Sequence, residues 1–266
     1  MNIRQSAVII FSPAGTTGEA AAAVAAALPY PALVAVDLSR PDSPERFFAG
    51  DELAIFAVPV YVGRVPPVAA ARLRRLRGVS TPAVLLAVYG NRDYDDALLE
   101  LADLAIAGGF VPVAAAAVVA EHSIYRSVAA GRPDADDRAK LSGFAAALRA
   151  RLAAVAAAAA LPPFRIPGHR PYRPWHDVPA RPHAGPGCIR CGRCAAGCPV
   201  GAIPAGQPER TDDAVCISCM RCRKICPVNA RDFTDPRFAA AEAAFAEKNR
   251  LRREPEFFPA LPGDGE

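Results

Sequence analysis

Between residues 6 and 120 the chain alternates short, almost wholly apolar runs with longer segments of helical periodicity. The runs fall at residues 7–11, 33–38, 53–58, 83–89 and 111–119. Strands covered on both faces lack the in-out alternation of a half-buried sheet, so these runs predict five parallel strands. Helices are predicted at residues 19–28, 67–76, 95–107 and 134 to about 160, the first and last so rich in alanine that propensity alone favours helix. Pro133 stands at the start of the last of these, a position proline suits. Val24, Leu28, Leu141, Phe144, Leu148 and Leu152 keep the spacing of a buried helix face, which argues for folded helices over a low-complexity tract. The expected class is α/β, a doubly wound five-stranded parallel sheet over residues 1–160.

The pattern then stops. Residues 161–187 hold eight prolines, three glycines and four arginines with no sustained period, and read as an extended linker. Trp175, the single tryptophan, lies there beside Tyr172 and His176, which suggests a tether whose aromatic groups dock on a neighbouring module. Residues 188–236 form a second, smaller unit. Within 237–266, residues 238–252 read as a short helix, and the tail ending Gly263, Asp264, Gly265, Glu266 reads as loose.

All eight cysteines fall in the second unit, within residues 188–226. Residues 188–199 and 216–227 each spell C-x2-C-x2-C-x3-C-P, and an offset of 28 residues brings nine of sixteen positions into identity. Three thiolates closely spaced on one tight loop can each reach a different iron corner of a cubane, and the fourth corner must come from elsewhere. In this run the fourth cysteine ligates the other cluster. Cys188, Cys191, Cys194 and Cys226 would hold one [4Fe-4S] cluster, and Cys216, Cys219, Cys222 and Cys198 a second. Zinc sites also use C-x2-C pairs but gain nothing from a third cysteine at the same spacing, and disulfides do not suit such tight clustering. Pro199 and Pro227 fix the backbone after each fourth ligand, while Ile189 and Ile217 are candidates for apolar cover over the sulfurs.

These residues resemble the bacterial-type two-cluster ferredoxins over roughly residues 183–236. The resemblance implies a small α+β ferredoxin domain that shuttles low-potential electrons.

The metal changes the charge picture. The formal charge is +4 with neutral cysteines, and two oxidised cubanes at about −2 each bring the protein to roughly zero. Nucleic-acid binding therefore has little electrostatic support. Arg190, Arg193, Arg221, Arg223 and Lys224 would either favour the reduced cluster or simply solvate the surface. Arg72, Arg74, Arg75 and Arg77 alternate with Leu73 and Leu76, most simply as a solvated helix face. The longest uncharged apolar stretch, residues 20–36, is interrupted by Pro29 and Pro31, so no membrane span is expected. With no secretory leader in view, a reducing, cytoplasmic location is expected.

The first strand runs through Ser12-Pro13-Ala14-Gly15-Thr16-Thr17-Gly18 straight into a helix. Hydroxyls and free backbone N–H groups at a helix N-terminus form a phosphate cradle, though Ser and Thr also cap helices with no ligand at all. Ligands of open α/β sheets sit outside the carboxyl ends of strands. There the chain offers Pro59, Val60, Tyr61, Gly63 and Arg64 after the third strand, and Tyr89, Gly90, Asn91, Arg92 and Tyr94 at the end of the fourth. Such loops suit an FMN ring, with Tyr61 and Tyr94 as stacking candidates and Ser12, Ala14, Gly15, Thr16 and Thr17 toward the phosphate. His122, after the fifth strand, would lie on the same rim; it could give a proton to the flavin at a pKa near neutrality, or be a plain surface histidine.

In loop placement the first unit resembles flavodoxin, departing at Ala14, where flavodoxins commonly have Thr. The whole chain resembles a family of bacterial and archaeal flavodoxin-ferredoxin fusion proteins, in which Val-Pro-Val-Tyr-Val-Gly-Arg-Val-Pro (58–66), Tyr-Gly-Asn-Arg (89–92) and Glu-His-Ser (121–123) recur. The resemblance implies an electron carrier that exchanges electrons between two [4Fe-4S] clusters, FMN and a redox partner protein, with no catalytic residue to name. Alternatives from the residues themselves are an FMN-dependent reductase of a small molecule, and a flavin-free redox-sensing or docking module. Oligomeric state stays open.

Overall fold

In the computed structural model, residues 1–233 and 235–260 are described, so the expectation of a loose end at Gly263, Asp264, Gly265 and Glu266 lies outside them. The elements are β1 (Gln5–Ile10), α1 (Thr16–Ala26), β2 (Ala32–Asp37), β3 (Arg46–Phe48), β4 (Glu52–Pro59), α2 (Pro67–Leu73), β5 (Leu76–Gly78), β6 (Thr81–Tyr89), α3 (Ala97–Ala107), β7 (Phe110–Val119) and α4 (Ala135–Ala153). Then come β8 (His183–Ala184), α5 (Arg193–Ala196), α6 (Arg221–Lys224), β9 (Arg231–Asp232), α7 (Phe238–Lys248) and β10 (Glu256–Phe258).

The five long strands pair in parallel in the order β2-β1-β4-β6-β7, the doubly wound arrangement of flavodoxin. Their apolar runs divide between two faces. On β4, Leu53, Ile55 and Ala57 meet α1 and α4 residues such as Val24, Leu141, Phe144 and Leu148. Ala54, Phe56 and Val58 turn the other way, toward Leu73 of α2 and Leu98 and Leu101 of α3. Both faces being covered explains why no polar alternation shows in the sequence. The predicted long last helix instead stops at Ala153, and a 3-10 turn follows at Ala158–Ala160. Its start is firm: Asp134 and Asp137 form a reciprocal capping box.

A sixth strand corrects the five-strand expectation. β10, from the far end of the chain, joins β7 antiparallel, with Phe257 opposite Ala116. Phe257 is buried and stacks on Phe144 at 5.0 Å. This covers the edge that β7 would otherwise expose. Its three residues were too few to read as a strand, and sequence placed them in the tail.

The Pro-rich segment is laid along the α/β domain. Arg170 pairs with Asp103 at 2.5 Å, Tyr172 donates to the same carboxylate, and Asp96 accepts from the backbone N–H of His169 and Arg173. Arg64 stacks over the Tyr172 ring at 4.7 Å. Trp175 itself stays 41% exposed, so the docked aromatic is its neighbour Tyr172.

Candidate functional site

The cysteine unit repeats in backbone as well as in sequence. At the 28-residue offset, Arg190 and Ser218, Gly192 and Met220, and Gly201 and Asn229 all take positive φ, between 50° and 72°. After each fourth cysteine a backbone N–H turns back to its sulfur: Ala202 to Cys198 at 3.3 Å and Ala230 to Cys226 at 3.2 Å. Such donors favour thiolates. Arg231 is buried between the copies, its guanidinium donating to the Pro182, Pro208 and Arg210 carbonyls and to Thr211.

Cys216, Cys219, Cys222 and Cys198 line one small apolar cavity together, with Ile203, Ile217 and Met220. The sequence assigns these four to one cluster. Burial pushes the Cys219 thiol up to about 12 and Cys222 to about 11, with Cys198 among the nearby charges that add to it. Such thiols keep their protons in neutral water, so a ligand role requires iron to displace them. Among the other four, Cys191 is exposed. At Cys226 burial acts upward, but backbone N–H groups of Val228, Ala230 and Arg231 outweigh it and hold the thiol below its ordinary value. Among the described residues no three His, Cys, Asp or Glu side chains are arranged to hold a single metal ion, an arrangement a cluster does not require.

The cysteine unit docks on the carboxyl ends of the sheet. Arg72 of α2 donates to the Leu38 carbonyl at 2.7 Å and, across the boundary, to the Pro199 carbonyl at 2.6 Å. It is therefore not the solvated side chain that its helical spacing suggested. Arg221 reaches the Pro13 carbonyl at 3.5 Å and Arg223 the Ile124 carbonyl at 3.4 Å, so these two arginines also face the α/β domain.

Between the two units lies a cavity of about 340 Å³ lined by Tyr61, Gly63, Tyr89, Gly90, Arg92 and His122, by Ile217 and Ser218 of the cysteine loop, and by Phe245 of α7. A narrower hollow continues from it past Val60, Tyr61 and Pro59 to Pro13, Ala14, Thr16 and Thr17 at the start of α1. Most of the residues expected around the flavin thus share one continuous tract. The turn after β4 is tight: Val62 and Gly63 have φ of 49° and 79° between Tyr61 and Arg64, which pair across it. A β-branched residue at positive φ is strained, and strain of this kind collects at binding sites. Gly63 is required there, since a Cβ would run into the Asp95 carboxylate. Burial, followed by Cys219 and Cys216, pushes the Tyr61 phenol well above its ordinary value. Tyr61 is thus within electrostatic reach of the inner cysteines.

Three expected site residues are turned elsewhere. Tyr94 does not line the cavity; it is buried in the core, edge-on to Tyr89 at 5.5 Å, and donates to Glu256 at 2.7 Å. Asn91 holds the C-terminal segment, donating to the Asn249 and Leu251 carbonyls and accepting from the Arg253 N–H. Ser12 accepts from the Gly18 N–H at 2.8 Å, so its hydroxyl shapes the loop. His122 lines both hollows, and desolvation pushes it down to about 4, away from the neutral value expected. Phe245 escaped notice because it sits on a bland alanine-rich helix with no local motif.

Residues 187–230 match the family described as 4Fe-4S dicluster domain. This part of the chain is a 4Fe-4S dicluster domain. No curated protein matches the chain in sequence. Among solved structures, the chain is similar to the Streptococcus pneumonia TIGR4 flavodoxin at 19% identity, covering 55% of this chain and 98% of that one, with a TM-score of 0.38. A short-chain flavodoxin associated with a non-canonical PDU bacterial microcompartment gives 13% identity, 55% and 95% coverage and a TM-score of 0.35. Rubredoxin oxygen:oxidoreductase from Desulfovibrio gigas gives 15%, 57%, 37% and 0.37. The strand order alone carries the fold assignment. The chain joins a flavodoxin-type α/β domain to the dicluster domain, and no helix among the described residues is long and apolar enough to cross a membrane.

Proposed function

We propose that the protein is a low-potential electron carrier holding two [4Fe-4S] clusters and one FMN. Cys188, Cys191, Cys194 and Cys226 hold an outer cluster, and Cys216, Cys219, Cys222 and Cys198 an inner one. The observation that carries this reading is that Ile217 and Ser218, between two inner ligands, line the same cavity as Tyr61, Gly63 and Gly90. When bound, the clusters supply one-electron transfer and the flavin supplies exchange between one- and two-electron carriers.

The chain's own residues divide the remaining work. Thr16, Thr17 and the free N–H groups at the start of α1 receive the phosphate, with Gly15 at φ 102° leading the backbone into the helix. Ala14 brings no hydroxyl, so backbone contacts carry more of that end. Tyr61 offers a ring face, the loops at residues 60–63 and 90–92 offer backbone polar groups, and Phe245 covers the cavity and keeps water out. Arg72 and Arg221 fasten the cysteine loops to the α/β domain. Covalent joining keeps the two redox units at high effective concentration. The exposed Cys191 side is where a cytoplasmic redox partner protein would exchange electrons.

A cavity of about 340 Å³ is near the lower end for small-molecule sites. It suits one planar cofactor better than a cofactor and a substrate together, which favours the carrier over a small-molecule reductase. Anaerobic preparation followed by iron, acid-labile sulfide and flavin assays tests the reading. The expected result is about eight iron, about eight sulfide and one FMN per chain. Zinc without sulfide would end the cluster assignment, and clusters without flavin uptake would favour the flavin-free sensing module.

A further inference from the structure

His122 sits where the two hollows of the flavin tract meet, and its surroundings fix its chemistry. Its Nδ1 faces the backbone N–H groups of Ile124 at 3.2 Å and Tyr125 at 3.0 Å. Two donors converging on one ring nitrogen require that nitrogen to be an unprotonated acceptor, so the single proton of the neutral ring resides on Nε2. The ring is held in that pose by Tyr125, stacked at 5.3 Å, and by Phe245, tilted at 5.0 Å. On its remaining side it presses on Gly90, where any Cβ would collide with the imidazole. With Nδ1 committed to the backbone, Nε2–H is the polar group that His122 offers to the tract it lines.

We propose that His122 serves the bound flavin as a permanently neutral hydrogen-bond donor through Nε2, and is not a proton source. The proposal rests on the FMN reading and deepens it. The charges facing the ring do not reverse the assignment: Glu242 of α7 favours the imidazolium, Arg92 opposes it, and desolvation exceeds both, leaving His122 pushed down to about 4. Protonation would also set a second N–H against the two backbone donors. A fixed donor at this place favours the redox form of the cofactor that carries more negative charge at the accepting atom. Because His122 keeps its proton, it is not the source of the protons that accompany flavin reduction.

The test compares full-length, cluster-loaded protein with His122→Phe and His122→Gln, matched for iron content and far-UV spectrum. FMN affinity and flavin midpoint potential are measured at intervals from pH 5.5 to 8. Loss of one neutral donor is expected to weaken binding about three- to tenfold in His122→Phe and to lower the potential, by amounts that stay constant across this range. His122→Gln, which keeps an N–H donor, is expected to recover most of both. A break near pH 6.5 present in wild type and absent from His122→Phe would overturn the proposal, as would a phenylalanine variant with wild-type affinity and potential. Failure of the FMN reading is seen separately, as wild-type protein that takes up no flavin.

Discussion

The two copies of the cysteine run have the same spacing and the same backbone turns, yet they live in different surroundings. The second copy is pressed against the α/β domain, with Cys219 buried and Ile217 packed on the core beneath the sheet's carboxyl edge. The first turns outward, with Cys191 exposed and Ile189 61% exposed. The same local sequence thus makes a loop that faces a neighbouring cavity and a loop that faces solvent. The spacing sets what each copy can bind, and the docking surface sets what it can do with it.

The largest effects should come from the ligands themselves. Cys219→Ser and Cys191→Ser are each expected to lower iron content to about four per chain. Cys219→Ser should cost more in thermal stability, because it leaves a polar hydroxyl and unpaired thiols in a buried site, whereas Cys191 is already in water. Equal losses in melting temperature for the two variants would break the comparison.

Next in size is the boundary between domains. Arg72→Ala removes the charged donor that joins Leu38 and Pro199, and a loss of about 1.5–3 kcal/mol is expected in denaturant unfolding. The contrasting change on the solvent side of the same copy is Arg190→Ala, which breaks an exposed pair with Glu209 at 3.2 Å and should cost under about 1 kcal/mol.

A smaller effect is a pH dependence that belongs to the inner side alone. His122 is pushed down to about 4 from an ordinary 6.5, so on acidification the unfolded chain takes up a proton that the folded chain refuses. Its contribution to stability is complete above about pH 6.5 and is lost as pH falls toward 4. Unfolding midpoints at pH 7.5 and 5 should therefore converge between wild type and His122→Gln. A gap that widens on acidification would contradict the assignment.

The least effect is expected from Tyr94→Phe, which removes one hydroxyl donor to Glu256 and should lower stability by about 1 kcal/mol with FMN affinity unchanged. That variant bears on what the sequence could reveal. Tyr61 and Tyr94 look alike as aromatics in loops after parallel strands, and only packing separates them. Tyr61 lines the tract, while Tyr94 packs on Tyr89 and ties down β10. The parallel strands were legible because burial on both faces leaves a long apolar signature. The cysteine constellation was legible because its chemistry demands a fixed local spacing. Contacts made across large separations leave no such trace. Arg72 carries a helix-surface pattern yet reaches a residue 127 positions away, and Asn91 carries a loop pattern yet holds a segment 158 positions on.

The return of β10 to the first domain means that the dicluster domain is held from both ends, by the Pro-rich strap before it and by the strand after it. A protease nick in the exposed stretch around Trp175 would therefore leave two fragments that remain associated, since Phe257 and its backbone ladder keep the later fragment anchored in the earlier one's sheet. During synthesis β10 emerges only after all eight thiols, so the β7 edge stays uncovered until the cysteine unit has been made.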